Sequence, residues 1–266
     1  MKIAFLGTGN MGSALIQGAI RAKIVRARDI TAYDVRPEAL APLKRKLGIK
    51  TSKTAAQAIE KAGFVFLCVK PQQMKDLLSQ ISGQVRPGQC LISIAAGVPS
   101  GKIEKALEPK KVPVVRVMPN TPALIGKGAS ALCSGRHAKT SHLGFAKRFF
   151  SAVGKAVILT EDHFDAVTAI SGSGPAYVFY LAESFQKACQ ALGLPAKESE
   201  ILFKQTLLGA AGMIENGEAP EELRRKVTSP GGTTEAALKH LESQNWQGIF
   251  TEAVRKAKER SQELSL

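Results

Sequence analysis

Lys2-Ile3-Ala4-Phe5-Leu6-Gly7-Thr8-Gly9-Asn10-Met11-Gly12 is the stretch on which the fold turns. An apolar run with strand character ends at Leu6 in a G-x-G-x-x-G loop, and an amphipathic segment, residues 11–23, opens directly behind it. The glycines have separate physical uses. Gly7 permits the tight turn, Gly9 lets the backbone approach a pyrophosphate, and Gly12 lets the helix lie close on the strand. N–H groups left free at the helix start then hold the anion. The loop alone is weak evidence, but a strand before it and a helix after it supply the context in which such a loop binds a dinucleotide.

Outward from this loop, the chain alternates short apolar runs with amphipathic segments over its first 160 residues. Strands are expected at residues 2–6, 29–33, 64–69, 91–95 and 112–117, with weaker ones at 129–133 and 156–159. A helix opens at Pro37, because proline at the first helical turn gives up an N–H that would be unpaired there anyway. The run at 64–69 is continuously apolar, as expected of a strand covered on both faces. Strand–helix alternation of this kind predicts an α/β domain with a parallel sheet and helices on both sides. The second strand ends in Tyr33-Asp34-Val35-Arg36. Asp34 stands where an acid would hydrogen-bond the adenosine ribose of NAD, whereas Arg36 would suit the 2′-phosphate of NADP. Asp34 would also serve as a cap for the helix that follows. The cofactor is therefore NADPH or NADH, with the choice open at this point.

The pattern changes near Glu161. No strand of the earlier type follows, and residues 176–192 and 201–214 are apolar almost all round. A helix apolar on every side must be buried. A helical unit of about 100 residues has few ways to bury two such helices alone, so a second copy of the chain is the expected cover. The reading is a dinucleotide-binding domain over residues 1–160 and an all-helical domain over residues 161–266.

The chain has 266 residues, 44% hydrophobic and 22% charged, which excludes a disordered or disulfide-scaffold protein. No apolar run is long enough to span a membrane, and the apolar stretch at the N-terminus is too short for a signal-peptide core. The expectation is a cytoplasmic protein. The net charge is +15, but Lys and Arg are scattered among helical apolar positions and aromatics make up only 6%. Solvated helix faces, rather than a nucleic-acid surface, account for the charge. Cys68, Cys90, Cys133 and Cys189 have no C-x-x-C spacing, and the four histidines form no ligand pattern, so reduced cysteines and no metal are expected.

Four further segments share a pattern: Val69-Lys70-Pro71-Gln72, Arg116-Val117-Met118-Pro119-Asn120-Thr121-Pro122, Ser171-Gly172-Ser173-Gly174-Pro175-Ala176-Tyr177, and Thr228-Ser229-Pro230-Gly231-Gly232-Thr233-Thr234. In this order, behind an N-terminal glycine loop, the chain resembles the pyrroline-5-carboxylate reductase family over essentially its whole length. The resemblance implies reduction of the cyclic imine of 1-pyrroline-5-carboxylate to L-proline with NADPH or NADH, the last step of proline synthesis. It also implies a Rossmann N-terminal domain and an all-α C-terminal domain that interlocks with its partner in a homodimer; in this family dimers commonly assemble into decamers.

Carried over position by position, the resemblance places Leu6, Gly7, Thr8, Gly9, Asn10, Met11 and Gly12 on the pyrophosphate. Val69, Lys70 and Pro71, and then Ala95, Ala96 and Gly97, follow strands and lie at the carboxyl edge of the sheet. The small residues 95–97 let backbone approach the nicotinamide half, and Asn120 borders it. Ser229, Gly231, Gly232, Thr233 and Thr234 hold the substrate. A helix starting at Thr233 after Pro230-Gly231-Gly232 would offer free N–H groups to a carboxylate, and Thr234 would set its hydroxyl near the imine nitrogen as the catalytic residue. The family commonly has Asn near position 55, on the adenine end, where this chain has Ala55. Reductases of the 3-hydroxy-acid dehydrogenase type are the alternative. They place a catalytic lysine on the long helix after the domain junction, yet residues 176–183 contain no lysine and the first is Lys187.

Overall fold

The computed structural model describes residues 1–265. Its first compact unit comprises Met1–Ser173 and the end of the chain from Ala257. Eight strands form one sheet: β1 (Ile3–Leu6), β2 (Ile30–Tyr33), β3 (Lys50–Thr51), β4 (Phe64–Leu67), β5 (Cys90–Ser93), β6 (Val114–Met118), β7 (Gly128–Ser134) and β8 (Gly154–Ile158). The spatial order is β3-β2-β1-β4-β5-β6-β7-β8. The chain first winds outward from β1 and then restarts on the other side at β4. Between those two strands the loops diverge, and such a switch point leaves a crevice for a ligand at the carboxyl ends of the strands.

Alternation along each central strand makes two cores from one sheet. Ile3 and Phe5 of β1, Phe66 of β4 and Ile92 of β5 face one layer, while Ala4, Leu6, Val65, Leu67 and Leu91 face the other. On the first side Phe5 stacks on Phe66 with ring centroids 4.5 Å apart, and Phe66 meets Phe149 at 4.4 Å. The crossover helices are α1 (Asn10–Arg21), α2 (Pro37–Leu47), α3 (Ala55–Ile59), α4 (Met74–Ile81), α5 (Ser100–Ala106) and α6 (Thr140–Ser151).

The sheet is mostly parallel, with one correction to the sequence reading: β6 and β7 are antiparallel. Their connection is the short 3₁₀ turn Thr121–Ile125 closed by left-handed Gly126. A parallel return needs a crossover of a dozen or more residues, so the chain reverses instead. Helix α6 then supplies a full crossover, and β8 runs parallel to β7. The two-residue strand β3 has no sequence signal, because one exposed and one half-buried residue carry no periodicity.

After β8 come a 3₁₀ turn (Glu161–His163), α7 (Phe164–Val167) and a π-helical turn (Thr168–Gly172). The second compact unit, Gly174–Lys256, holds α8 (Gly174–Ala191), α9 (Ala196–Glu215), α10 (Pro220–Lys226), α11 (Thr233–Ser243) and most of α12 (Trp246–Ser265). Among the described residues it contains no strand. No residue of α8 is buried, and of α9 only Ser199 and Phe203 are. Phe179 is 61% exposed and Leu208 69%. Such apolar faces are not tolerated in water on this scale; they are surfaces made to be covered.

Candidate active site

The glycine loop leaves the switch point with the geometry its residues dictate. Gly7 has φ +99°, and a Cβ there would stand 2.6 Å from the Cys68 carbonyl oxygen on β4's exit loop. Its N–H donates to the Tyr33 carbonyl at 2.8 Å, tying the turn to β2. A Cβ on Gly12 would come within 2.4 Å of the Gly7 carbonyl oxygen, so α1 can approach the turn only with glycine in that place. Gly9 is different. Nothing lies within 4 Å of its would-be Cβ, and as the N-cap of α1 it offers no side chain to the helix N–H groups. The first turn of α1, at Asn10 and Met11, therefore presents donors to an incoming anion. Open space at Gly9 and an uncapped helix fit a dinucleotide pyrophosphate.

Asp34 lines the switch-point cleft and does not cap α2, whose N-cap is Arg36 with no side-chain bond to the helix. It is 8% exposed. Its Oδ2 accepts from the Thr8 N–H at 2.7 Å and from the Thr8 hydroxyl at 3.0 Å, and its Oδ1 accepts from the Arg36 N–H at 3.0 Å. The carboxylate thus clasps the glycine loop to the end of β2. Burial pushes its titration up, but the hydrogen bonds from Arg36 and Thr8, helped by the Arg36 charge, hold it below the ordinary range. Arg36 has its Nε 3.8 Å from Oδ1 with the side chain 64% exposed, so its guanidinium stays available to a ligand. Gly7, Gly9, Asp34, Arg36, Val69 and Lys70 line one open cleft of about 420 Å³.

Pro71 starts a 3₁₀ turn, and the Lys70 N–H donates to Gln73 Oε1 at 3.3 Å. The far wall of the cleft is the face of α4 and its entry, Gln73, Asp76, Leu77 and Gln80. These residues were missed, although the spacing 73, 76/77, 80 is one helix face and becomes visible once Pro71 is taken as the helix entry. Ala55 is buried, at 1% exposure, and does not line the cleft. Ala95 is buried, and Gly97 has φ +70°. Asn120 is 9% exposed and spends both ends of its amide on the protein: Nδ2 donates to the Ser171 carbonyl at 3.0 Å, and Oδ1 accepts from the Ala129 N–H at 2.8 Å. It joins the end of β6, the start of β7 and the π-helical turn.

In the second unit α11 begins at Thr233, as the sequence predicts, with Gly232 as an N-cap that offers no side chain. Gly231 has φ +69°, and its N–H donates to Glu235 Oε2 at 2.9 Å. The Gly232 N–H donates to the Ser229 carbonyl at 3.0 Å. Residues 229–234 thus form a closed loop opening onto a helix N-terminus, with Thr234 half-buried beside it. Glu235, which holds the loop and pairs with Lys239 at 3.3 Å, was not foreseen. The sequence signal was an acid in the first helical turn, where the helix dipole favours it.

The four cysteines are free thiols, and burial pushes the Cys90 thiol up to about 12. Among the described residues no cluster of His, Cys, Asp and Glu could hold a metal ion, and no helix is long and apolar enough to cross a membrane.

A switch-point cleft with an uncapped glycine loop, followed by a strandless unit with uncovered apolar helices, defines a two-domain NAD(P)-dependent oxidoreductase that works as a homo-oligomer. Residues 161–264 match the family model for pyrroline-5-carboxylate reductase dimerisation, and residues 2–97 match one described as NADP oxidoreductase coenzyme F420-dependent. A pyrroline-5-carboxylate reductase of Methanosarcina acetivorans is 43% identical over 264 residues, 99% of this chain and 97% of the relative. A solved pyrroline-5-carboxylate reductase from Coxiella burnetii superposes with TM-score 0.90 at 37% identity, covering 100% of this chain and 98% of the other. One from Plasmodium falciparum, solved with NADP bound, gives 0.90 at 30% identity with the same coverage. The chain belongs to the pyrroline-5-carboxylate reductase family, and the activity that goes with membership is NAD(P)-dependent reduction of 1-pyrroline-5-carboxylate to proline.

Proposed function

We propose that NADPH is the preferred reductant and that the two uncapped helix starts divide the binding between them. The start of α1, behind Gly9, takes the pyrophosphate; the start of α11, behind Gly232, takes the substrate carboxylate. The observation that carries the cofactor preference is that Asp34 is committed to Thr8 and Arg36, which leaves the exposed Arg36 guanidinium as the group that meets the ribose substituent. A guanidinium favours a 2′-phosphate over a hydroxyl.

The cofactor supplies hydride from the nicotinamide to the imine carbon. The chain supplies placement. Leu6, Gly7, Thr8, Gly9, Asn10, Met11 and Gly12 orient the pyrophosphate; Val69, Lys70 and Pro71 form the adjoining wall; Ala95, Ala96 and Gly97 offer backbone to the nicotinamide. Asn120 shapes that border by holding Ser171 and Ala129. Ser229, Gly231, Gly232 and Thr233 hold the imino acid by its carboxylate. As the carbon accepts hydride the nitrogen becomes basic and takes up a proton. The Thr234 hydroxyl donates a hydrogen bond to that nitrogen and orients the ring, and solvent supplies the proton, since no histidine lies in these motifs.

We place the functional boundary at residues 160 and 161, a reading supported by the dimerisation match beginning at 161. The assembly is a homodimer, with the bare faces of α8 and α9 as its contact and further association to a decamer in keeping with the family. The protein is cytoplasmic, acts on a small molecule, and has neither nucleic acid nor membrane as partner. Oxidation of NADPH and of NADH with 1-pyrroline-5-carboxylate, followed by loss of reduced-nicotinamide absorbance, tests the reading. A higher kcat/KM with NADPH supports it, and a preference for NADH would move the ribose contact from Arg36 to Asp34.

A further inference from the structure

Arg116 is a charged side chain in the middle of β6, only 5% exposed. A guanidinium removed from water must be paired and hydrogen-bonded. Its partner is Glu161, which lies in none of the motifs. Arg116 Nη1 stands 3.1 Å from Glu161 Oε1, and the guanidinium carbon lies 4.8 Å from the centre of the Phe164 ring. The same carboxylate accepts two bonds from the first residue of α5: the Ser100 N–H donates to Oε1 at 2.7 Å, and the Ser100 hydroxyl donates to Oε2 at 2.6 Å. Glu161 thus joins a central strand, the turn after β8 and the start of α5.

What precedes Ser100 gives this junction its meaning. Residues 94–99 connect β5 to α5 and include the candidate nicotinamide loop, Ala95, Ala96 and Gly97. The loop's internal bonds are long: Ala95 N–H to Ser93 Oγ at 3.4 Å, and Val98 N–H to the Ala95 carbonyl at 3.5 Å. Gly97, at φ +70°, adds a residue of wide backbone freedom. Its firm downstream anchor is the pair of short bonds at Ser100. Arg116 in turn fixes the carboxylate that makes them, and it stands four residues before Asn120, the other group at the nicotinamide border. We propose that Glu161 is a positioning residue: held by Arg116, it fixes the 95–97 loop through Ser100 and so sets the nicotinamide ring in register for hydride transfer. The proposal rests on the reading above that this loop borders the nicotinamide.

The mildest perturbation is Ser100→Ala, which removes the hydroxyl bond, leaves the N–H bond and keeps Arg116 paired. The full-length chain is titrated with NADPH and with 2′-phospho-ADP-ribose, which has everything but the nicotinamide end. The wild type is expected to bind NADPH more tightly than the fragment. In Ser100→Ala the fragment's affinity should stay within about twofold while the advantage of NADPH is lost. kcat should fall about tenfold, the scale on which small misplacements act, and the primary deuterium isotope effect with 4-deuterated NADPH should rise. Ser100→Thr, which keeps the hydroxyl, should restore all three. Glu161→Gln leaves the buried guanidinium without its counter-charge and should give a larger effect of the same kind. A Ser100→Ala chain with the wild-type binding ratio and isotope effect overturns the proposal, whatever its melting temperature; so does a wild type that binds both ligands equally. A wild type that fails to reduce 1-pyrroline-5-carboxylate defeats the substrate reading instead, and the binding ratio still decides this one.

Discussion

Asp34→Asn separates two roles for an acid at the end of β2, and the structure gives the size of the effect. The carboxylate faces donors on both oxygens: Thr8 N–H and hydroxyl on one, Arg36 N–H on the other. An asparagine amide has one oxygen and one NH₂. Turned with its oxygen to Thr8, it sets NH₂ against the Arg36 N–H; turned the other way, it sets NH₂ against the Thr8 N–H. The first orientation is cheaper, since it keeps two bonds and loses one. A hydrogen bond to a charged group contributes about 1.5–3 kcal/mol, so unfolding should become easier by about 2 kcal/mol, read by denaturant titration. Acid should mimic the mutation. The folded carboxyl titrates below its unperturbed value of 3.8, so its stabilisation is complete above that pH and is lost as pH falls through the lower folded value. The variant should lack that acid-dependent loss. On the proposal that Asp34 holds the loop rather than the ribose, kcat/KM should fall by the same factor with NADPH and NADH. A selective loss with NADH, NADPH being untouched, would refute the reasoning and put the carboxylate on the ribose hydroxyl.

Arg36→Ala should do the opposite. It should lower kcat/KM for NADPH about tenfold, as expected for losing one charge-assisted contact to phosphate, and leave NADH unchanged, and the wild-type preference should shrink as salt rises because the guanidinium is exposed. Thr234→Ala should reduce turnover about tenfold or more with an unchanged melting temperature, since the side chain is only half-buried; unaltered turnover would remove it from the mechanism. Leu208→Glu, on the bare face of α9, should drive the full chain from dimer or larger toward smaller species in sedimentation, and an unchanged distribution would place the contact elsewhere.

Much of the fold was legible because its signals are local. Ile3, Val65 and Leu91 belong to runs apolar on successive residues, which only a doubly covered strand requires. The helices of the second unit announced themselves by being apolar all round, and the structure leaves Phe179 and Leu208 bare as that reading demands. The reversal at β7 was marked only by loop length. The strand itself was anticipated, and the nine residues 119–127 fall short of the dozen that a parallel crossover needs, but the 3₁₀ turn Thr121–Ile125 with Gly126, which carries out the reversal, has no periodicity to announce it.

The site was legible in a more uneven way, and the reason is physical. Glycine loops and helix starts offer backbone donors, so the sequence shows candidate sites of this kind as places where side chains are missing: Gly7, Gly9, Gly12, Gly231, Gly232. Polar side chains beside such loops attract a ligand-binding role in any reading of sequence, because nothing in one dimension shows the backbone donors near them. Asp34 and Asn120 were both read that way, and both have polar atoms engaged by the protein, Asp34 by Thr8 and Arg36, Asn120 by Ser171 and Ala129. Glu161 and Glu235, which clamp Ser100 and Gly231, carried no motif at all. A backbone-made site needs such clamps, since a loop chosen for its freedom must have that freedom removed before a ring can be placed to a fraction of an ångström. If the proposed site is right, the clamping acids serve the chemistry as much as the glycines do, and substitution at Asp34 or Glu161 should cost turnover without either side chain touching what reacts.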